Sequence, residues 1–130
     1  MTKKTKHNGS VLLITLFIIA MFSALVAGML WINTEEMQLM KNEIFAAQAL
    51  SIAEAGLNDA FSQIRVNSGW SSGFNNKTFS DGRYTVTVAG NTIQSVGTSA
   101  QGFIARVAAD ITIGNTNPYV IRIDSLRINE

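Results

Sequence analysis

The sequence predicts an α+β protein: a long N-terminal α-helix, membrane-spanning in its first half, packed on a small antiparallel sheet of three or four strands. Three observations carry this. The 25 residues from Ser10 to Thr34 contain no charge. A helical spacing of apolar and small residues then continues without proline to Val66. Beyond residue 82 the apolar period changes to two, the period of half-buried strands.

Residues 1–9, MTKKTKHNG, form a short basic head in which Lys3, Lys4 and Lys6 contribute a charge of +3, leaving −2 on the remainder. Residues 10–34 follow. As a helix they extend about 37 Å, enough for a hydrocarbon core of roughly 30 Å. Lysines before the run and Glu35 and Glu36 after it predict an N-terminus in the cytoplasm and a C-terminal body outside it. Trp31 falls at the outer end, where an aromatic anchor belongs. Residues 35–66 continue the helix in amphipathic form. Leu50, Ala53, Leu57, Phe61 and Ile64 recur three or four apart, with an overlapping stripe of small residues, Ala46, Ala49, Ala53, Gly56 and Ala60. Small residues let a second backbone approach. Lys41, Gln48, Asn58 and Asp59 mark the polar side.

Residues 67–130 form the body. The stretch 67–82, rich in Ser, Asn and Gly, reads as a loop that packs through Trp70, Phe74 and Phe79. Alternation then predicts strands at Tyr84–Val88, Thr92–Thr98 and Phe103–Ile113, and a fourth from Tyr119 through Ile123 to Asp124. Short turns favour antiparallel neighbours. So small a sheet must cover its apolar face, and Leu50, Leu57, Phe61 and Ile64 are the predicted cover.

Composition narrows the chemistry. Cysteine is absent, so disulfides, thiolate zinc sites and thiol nucleophiles are excluded. The one histidine, His7, sits in the basic head, leaving no material for a histidine metal site or a Ser-His-Asp triad. Asp81, Asp110 and Asp124 read as turn or solvated strand residues, and Gly69, Gly73 and Gly82 as loop glycines rather than a phosphate cradle. No catalytic residue, metal or cofactor is expected, and no small-molecule substrate. Ten basic against nine acidic residues argue against a nucleic-acid partner. Lys77, Arg83, Arg106, Arg122 and Arg127 are dispersed along the chain, so their convergence is not readable from it.

The basic head ending in Gly9, the run SVLLITLFIIAMF and the unbroken helix before a small sheet resemble the type IV pilin and type II secretion pseudopilin superfamily. The stretch QALSIAEAGLNDAFSQI, residues 48–64, and the start Gly-Ser-Val-Leu-Leu at Gly9 are similar to PilX-type minor pilins. The resemblance covers residues 1–66; beyond them it is architectural. It implies a pilin-like fold and cleavage by a prepilin peptidase between Gly9 and Ser10, with N-methylation of Ser10. Family members more often begin the mature chain with phenylalanine or methionine. Most major subunits also carry glutamate at its fifth position, and here that residue is Ile14. K-type pseudopilins lack it too, and the resemblance therefore implies a minor subunit that primes or caps a filament. The implied partners are other major and minor pilins or pseudopilins, the peptidase, an inner-membrane assembly platform and membrane lipid. The implied location is the cytoplasmic membrane and then the base or tip of an extracytoplasmic filament.

Two other classes compete. A single-pass, membrane-anchored extracytoplasmic binding protein would keep residues 1–9 and form no filament. A secreted module would be cut among the small residues of Ser23 to Gly28.

Overall fold

A computed structural model describes residues 7–129. The lysines of the basic head, Lys3, Lys4 and Lys6, lie outside the described residues. The fold is α+β: one helix, α1 (His7–Val66), and a five-stranded antiparallel sheet in simple meander order. The strands are β1 (Phe74–Phe79), β2 (Gly82–Ala89), β3 (Thr92–Thr98), β4 (Ile104–Ile113) and β5 (Ile121–Ile128). The chain falls into two units, a stem through Lys41 and a headpiece from Asn42.

No proline interrupts α1, and its end is built locally. The Asn67 amide donates to the Gln63 carbonyl at 2.9 Å, and the Asn67 side chain accepts from the Gly69 amide at 3.0 Å. Arg65 in the last turn complements the negative end of the helix dipole.

In the headpiece, the second half of α1 covers one face of the sheet. Tyr84 and Val86 of β2, Ile93 and Ser95 of β3, and Ala105, Val107, Ala109 and Ile111 of β4 are buried there. Cross-strand register keeps them on one face: Tyr84 faces Gly97, Val86 faces Ser95, Ser95 faces Val107 and Ile93 faces Ala109. Ala49, Ile52, Ala53, Leu57, Ala60 and Ile64 of α1 are buried against them. Each fully buried aliphatic side chain, such as Ile64, Ile93 or Ile111, contributes roughly 1.5–3 kcal/mol by leaving water.

Leu57 and Ile64 sit in this core, while Leu50 and Phe61 are half-buried at its margin. Four of the five small residues, Ala49, Ala53, Gly56 and Ala60, are buried; Ala46 is exposed. Gly97 and Gly56 show why small residues are needed. A methyl on Gly97 would reach 3.0 Å from the Ala53 Cα and come closer still to the Ala49 carbonyl oxygen. A methyl on Gly56 would reach 2.8 Å from the Tyr84 ring. Helix and sheet backbones therefore meet directly at Gly97, and at Gly56 the helix backbone meets the Tyr84 and Ser95 side chains.

The strand count is five, not three or four. The extra strand, β1, lies in the stretch expected to be a loop. Its pattern FNNKTF lacks apolar alternation because all its residues but Phe74 are exposed, and its pairing with β2 shifts register between Phe74 and Lys77. Backbone pairing, not side-chain burial, makes it a strand. β5 also runs four residues past Asp124.

Candidate functional site

The stem is the first feature with functional chemistry. It is long and apolar enough to cross a membrane, and none of its apolar stretch is buried inside the protein. Leu13, Phe17, Phe22, Leu25, Leu30 and their neighbours all point outward. Its polar side chains are largely self-satisfied. Thr15, Ser23 and Thr34 each donate a hydroxyl proton to the carbonyl four residues earlier, at 2.8 Å. The Trp31 indole N–H donates to Glu35 Oε1 at 2.7 Å, joining an aromatic anchor to the first acid beyond the apolar run. Such a surface suits lipid or other helices, since neither offers partners for unsatisfied donors.

Gly9 and Ser10 stand in the first turns of α1, both exposed, and a methyl on Gly9 would meet nothing within 4 Å. Glycine costs a helix roughly 1 kcal/mol relative to alanine, and no intrachain contact here compensates. Gly28 is in the same position. Ile14 is exposed on the stem.

The headpiece adds a polar node that the sequence pattern did not disclose. Asp59 was expected on the solvated side of α1. It is instead half-buried, and its Oδ2 accepts from Lys77 Nζ of β1 and from the Tyr84 hydroxyl of β2, both at 2.5 Å. Lys77 Nζ also lies 4.5 Å from the Phe74 ring centroid. Phe74 in turn packs edge-on against Tyr84 and beside Trp70. Burial pulls the Asp59 pKa up, but the hydrogen bonds from Lys77 and Tyr84 outweigh it and hold the carboxyl below its ordinary value. The hydrogen bond to Asp59 raises the Lys77 pKa, while burial first and then Asp59 raise that of Tyr84. The node clamps two strands to the helix. Its partners are 18 and 25 residues apart, so no local motif announces it.

The outer face of the sheet carries Arg106, Arg122 and Arg127. Arg127 pairs with Asp110, which also accepts from Thr92 and Ser125 at 2.7 Å. Arg122 pairs with Asp124, which accepts from Thr112 at 2.6 Å. Hydrogen bonds from Thr92 and Ser125 lower the Asp110 pKa, and those from Thr112 and Arg122 lower that of Asp124. Both carboxylates are held ionised and engaged, which is poor preparation for acid–base catalysis. Arg106 and Arg127 do converge, on an open concavity of about 300 Å³ lined also by Thr87, Thr92, Gln94 and Ala108. Among the described residues, no three His, Cys, Asp or Glu side chains are grouped to hold a metal.

No family model matches the chain, and neither a curated protein nor a solved structure matches it.

Proposed function

We propose that the chain is a minor pilin- or pseudopilin-type structural subunit, which primes or caps a filament after prepilin peptidase cleavage between Gly9 and Ser10. The observation that carries this reading is the stem: an outward-facing apolar helix continuous with the helix that seats the headpiece sheet. A simple anchor needs no such continuity. A subunit that leaves lipid for a helix bundle does, because the same helix must hold the headpiece in register with its neighbours. Exchange between lipid and bundle is feasible because both are similarly apolar and packing decides. Ala20, Ser23, Ala24, Ala27 and Gly28 supply the small side of the stem. Gly28 then has a function that its surroundings within the chain do not provide.

In this reading the stem first crosses the cytoplasmic membrane with its N-terminus inside and the headpiece outside. Partners are other pilins or pseudopilins, the peptidase and an assembly platform. Ile14 removes the charge that would pair with a neighbouring subunit's N-terminal amine, which suits a terminal position. The headpiece is non-enzymatic.

Intact-mass and N-terminal peptide analysis of the protein from its native membranes tests the proposal. A mature chain beginning at N-methylated Ser10 is the expected result. A chain that keeps residues 1–9 in cells with active prepilin peptidase overturns it in favour of a membrane-anchored binding protein. The outer-face concavity with Arg106 and Arg127 is the observation that would then matter.

A further inference from the structure

The outer face of the sheet is polar, with a gap in its middle. The register carries a single row across four strands. Thr87 of β2 faces Gln94 of β3, Gln94 faces Ala108 of β4, and Ala108 faces Arg127 of β5. The small member of that row is Ala108, and Arg106 stands two residues before it on β4. At strand spacings the backbones of Gln94 and Arg127 lie about 5 Å from that of Ala108, and that of Arg106 about 7 Å. A methyl group ringed by longer side chains leaves a hollow, and these five residues line the open concavity of about 300 Å³.

The polar side chains of this face divide into two groups. At Asp110 and Asp124 they are spent on one another: Arg127, Thr92 and Ser125 donate to Asp110, and Arg122 and Thr112 to Asp124. Around Ala108 they are not. The Thr87 hydroxyl, the Gln94 amide and the Arg106 guanidinium line the concavity and make no hydrogen bond or ion pair among the described residues. All three are exposed, so each can exchange water for a ligand.

The chemistry of these groups selects the ligand. A guanidinium takes a planar oxyanion through paired N–H donors. Glutamine and threonine each offer a donor and an acceptor, which suits hydroxyl groups. Two cations, Arg106 and Arg127, against one acid, Asp110, leave a local charge of +1. One carboxylate neutralises it, whereas a phosphate monoester brings about −1.5 to −2. No aromatic side chain lines the concavity, so a nucleic-acid strand finds no stacking platform. Ala89 and Ala108 are its apolar lining, too little surface to hold an acyl chain.

We propose that this concavity binds a hydroxylated monocarboxylate of the sugar-acid class, with the carboxylate on Arg106 and the hydroxyls on Gln94 and Thr87. Arg127, braced by Asp110, forms the second cationic wall. The site belongs to the headpiece and does not depend on whether the chain joins a filament. An open site buries little of its ligand, so a single unit binds weakly, on the order of 1 mM.

Saturation-transfer NMR on the full-length protein in neutral detergent micelles, with glucuronate as the probe, tests this. Saturable binding of glucuronate is expected, with glucose and acetate each at least tenfold weaker. R106Q removes the cation and A108L fills the hollow, and each is expected to weaken glucuronate at least tenfold. R83Q, at an exposed arginine outside the concavity, leaves it unchanged. Hydrogen exchange of the β4 amides verifies that the variants stay folded. Absence of saturable binding overturns the site. Equal binding of glucose or acetate overturns the ligand class, and equal weakening by R83Q reduces the site to a diffuse field and overturns it as well. Glycerol phosphate binding more tightly than glucuronate, or a short oligodeoxynucleotide displacing glucuronate at lower concentration, makes this a phosphate site and overturns the proposal too.

Discussion

Gly97 of β3 lies against Ala53 of α1 so closely that a single methyl on Gly97 would come to 3.0 Å from the Ala53 Cα. The obstacle is backbone, which cannot rotate away as a side chain does. Gly97→Ala is therefore expected to destabilise the headpiece by about 3 kcal/mol, the upper end for overpacking. Hydrogen exchange of the β3 and β4 amides in the full-length protein checks this. Protection comparable to the parent would mean that helix and sheet can separate at little cost.

Burial ranks the other seam residues. Ile64 is 1 % exposed, while Phe61, though larger, is only half-buried. Ile64→Ala is expected to cost about 3–4 kcal/mol, within the range for a core Ile-to-Ala cavity. Phe61→Ala is expected to cost about 2 kcal/mol, below the value for a fully buried ring. The order is the critical result: denaturant unfolding in which Phe61→Ala is the more damaging would place the ring deeper than its exposure indicates.

Ser95 offers the opposite sign. Its hydroxyl is fully buried beside Gly56 and has no hydrogen-bond partner among the described residues. A buried unsatisfied hydroxyl costs about 1–3 kcal/mol. Ser95→Ala keeps the small volume that Gly56 requires and removes that cost, so a gain of about 1 kcal/mol in unfolding free energy is expected. A loss on the same denaturation curve would show that the hydroxyl is satisfied in solution.

The seam and its surroundings also show what was legible in the sequence. The stem and the helix–sheet seam were readable because burial writes a period: an uncharged run, then alanines and leucines three and four apart. β2, β3 and β4 were readable for the same reason, at period two. β1 was not, because FNNKTF is held by backbone pairing and shows no apolar alternation. Asp59 was misplaced because its partners, Lys77 and Tyr84, are brought to it only by the fold. β5 was visible only as far as Asp124, because a register shift against β4 breaks the alternation before Leu126 and Ile128, and the exposure of its apolar residues depends on where α1 crosses the sheet, which spacing along one strand does not encode.

The Asp59–Lys77–Tyr84 node predicts a broad stability plateau. Asp59 has a depressed pKa, so its contribution is complete above the unfolded carboxylate value of about 3.9 and is lost as pH falls through the lower folded value. Lys77 and Tyr84 have raised pKa values, so theirs is complete below about 10 and is lost as pH rises through the folded values. Stability should therefore be flat between about pH 5 and 9, with shoulders outside. Asp59→Asn should lower the plateau and weaken both shoulders. The acid shoulder will not vanish, because Asp110 and Asp124 are also depressed. Thermal unfolding across pH 2–11 reads this directly, and an identical acid slope in the variant would remove Asp59 from the account.

Gly9 separates a requirement of the fold from one imposed by another protein. It is exposed, and nothing lies within 4 Å of where its methyl would be, so Gly9→Leu is compatible with α1. Leucine is also a better helix former by roughly 0.8 kcal/mol. The variant is thus expected to insert into membranes and fold its headpiece as well as the parent does. If a prepilin peptidase recognises this glycine, Gly9→Leu will accumulate with residues 1–9 attached and will not join a filament. Gly28→Leu, which carries the same change at another exposed stem position, should be cut normally but pack poorly with neighbouring stems. Normal cleavage of Gly9→Leu, read by intact mass, would refute the peptidase site. Loss of both variants from the membrane would instead mean that the stem tolerates less than its open surroundings imply.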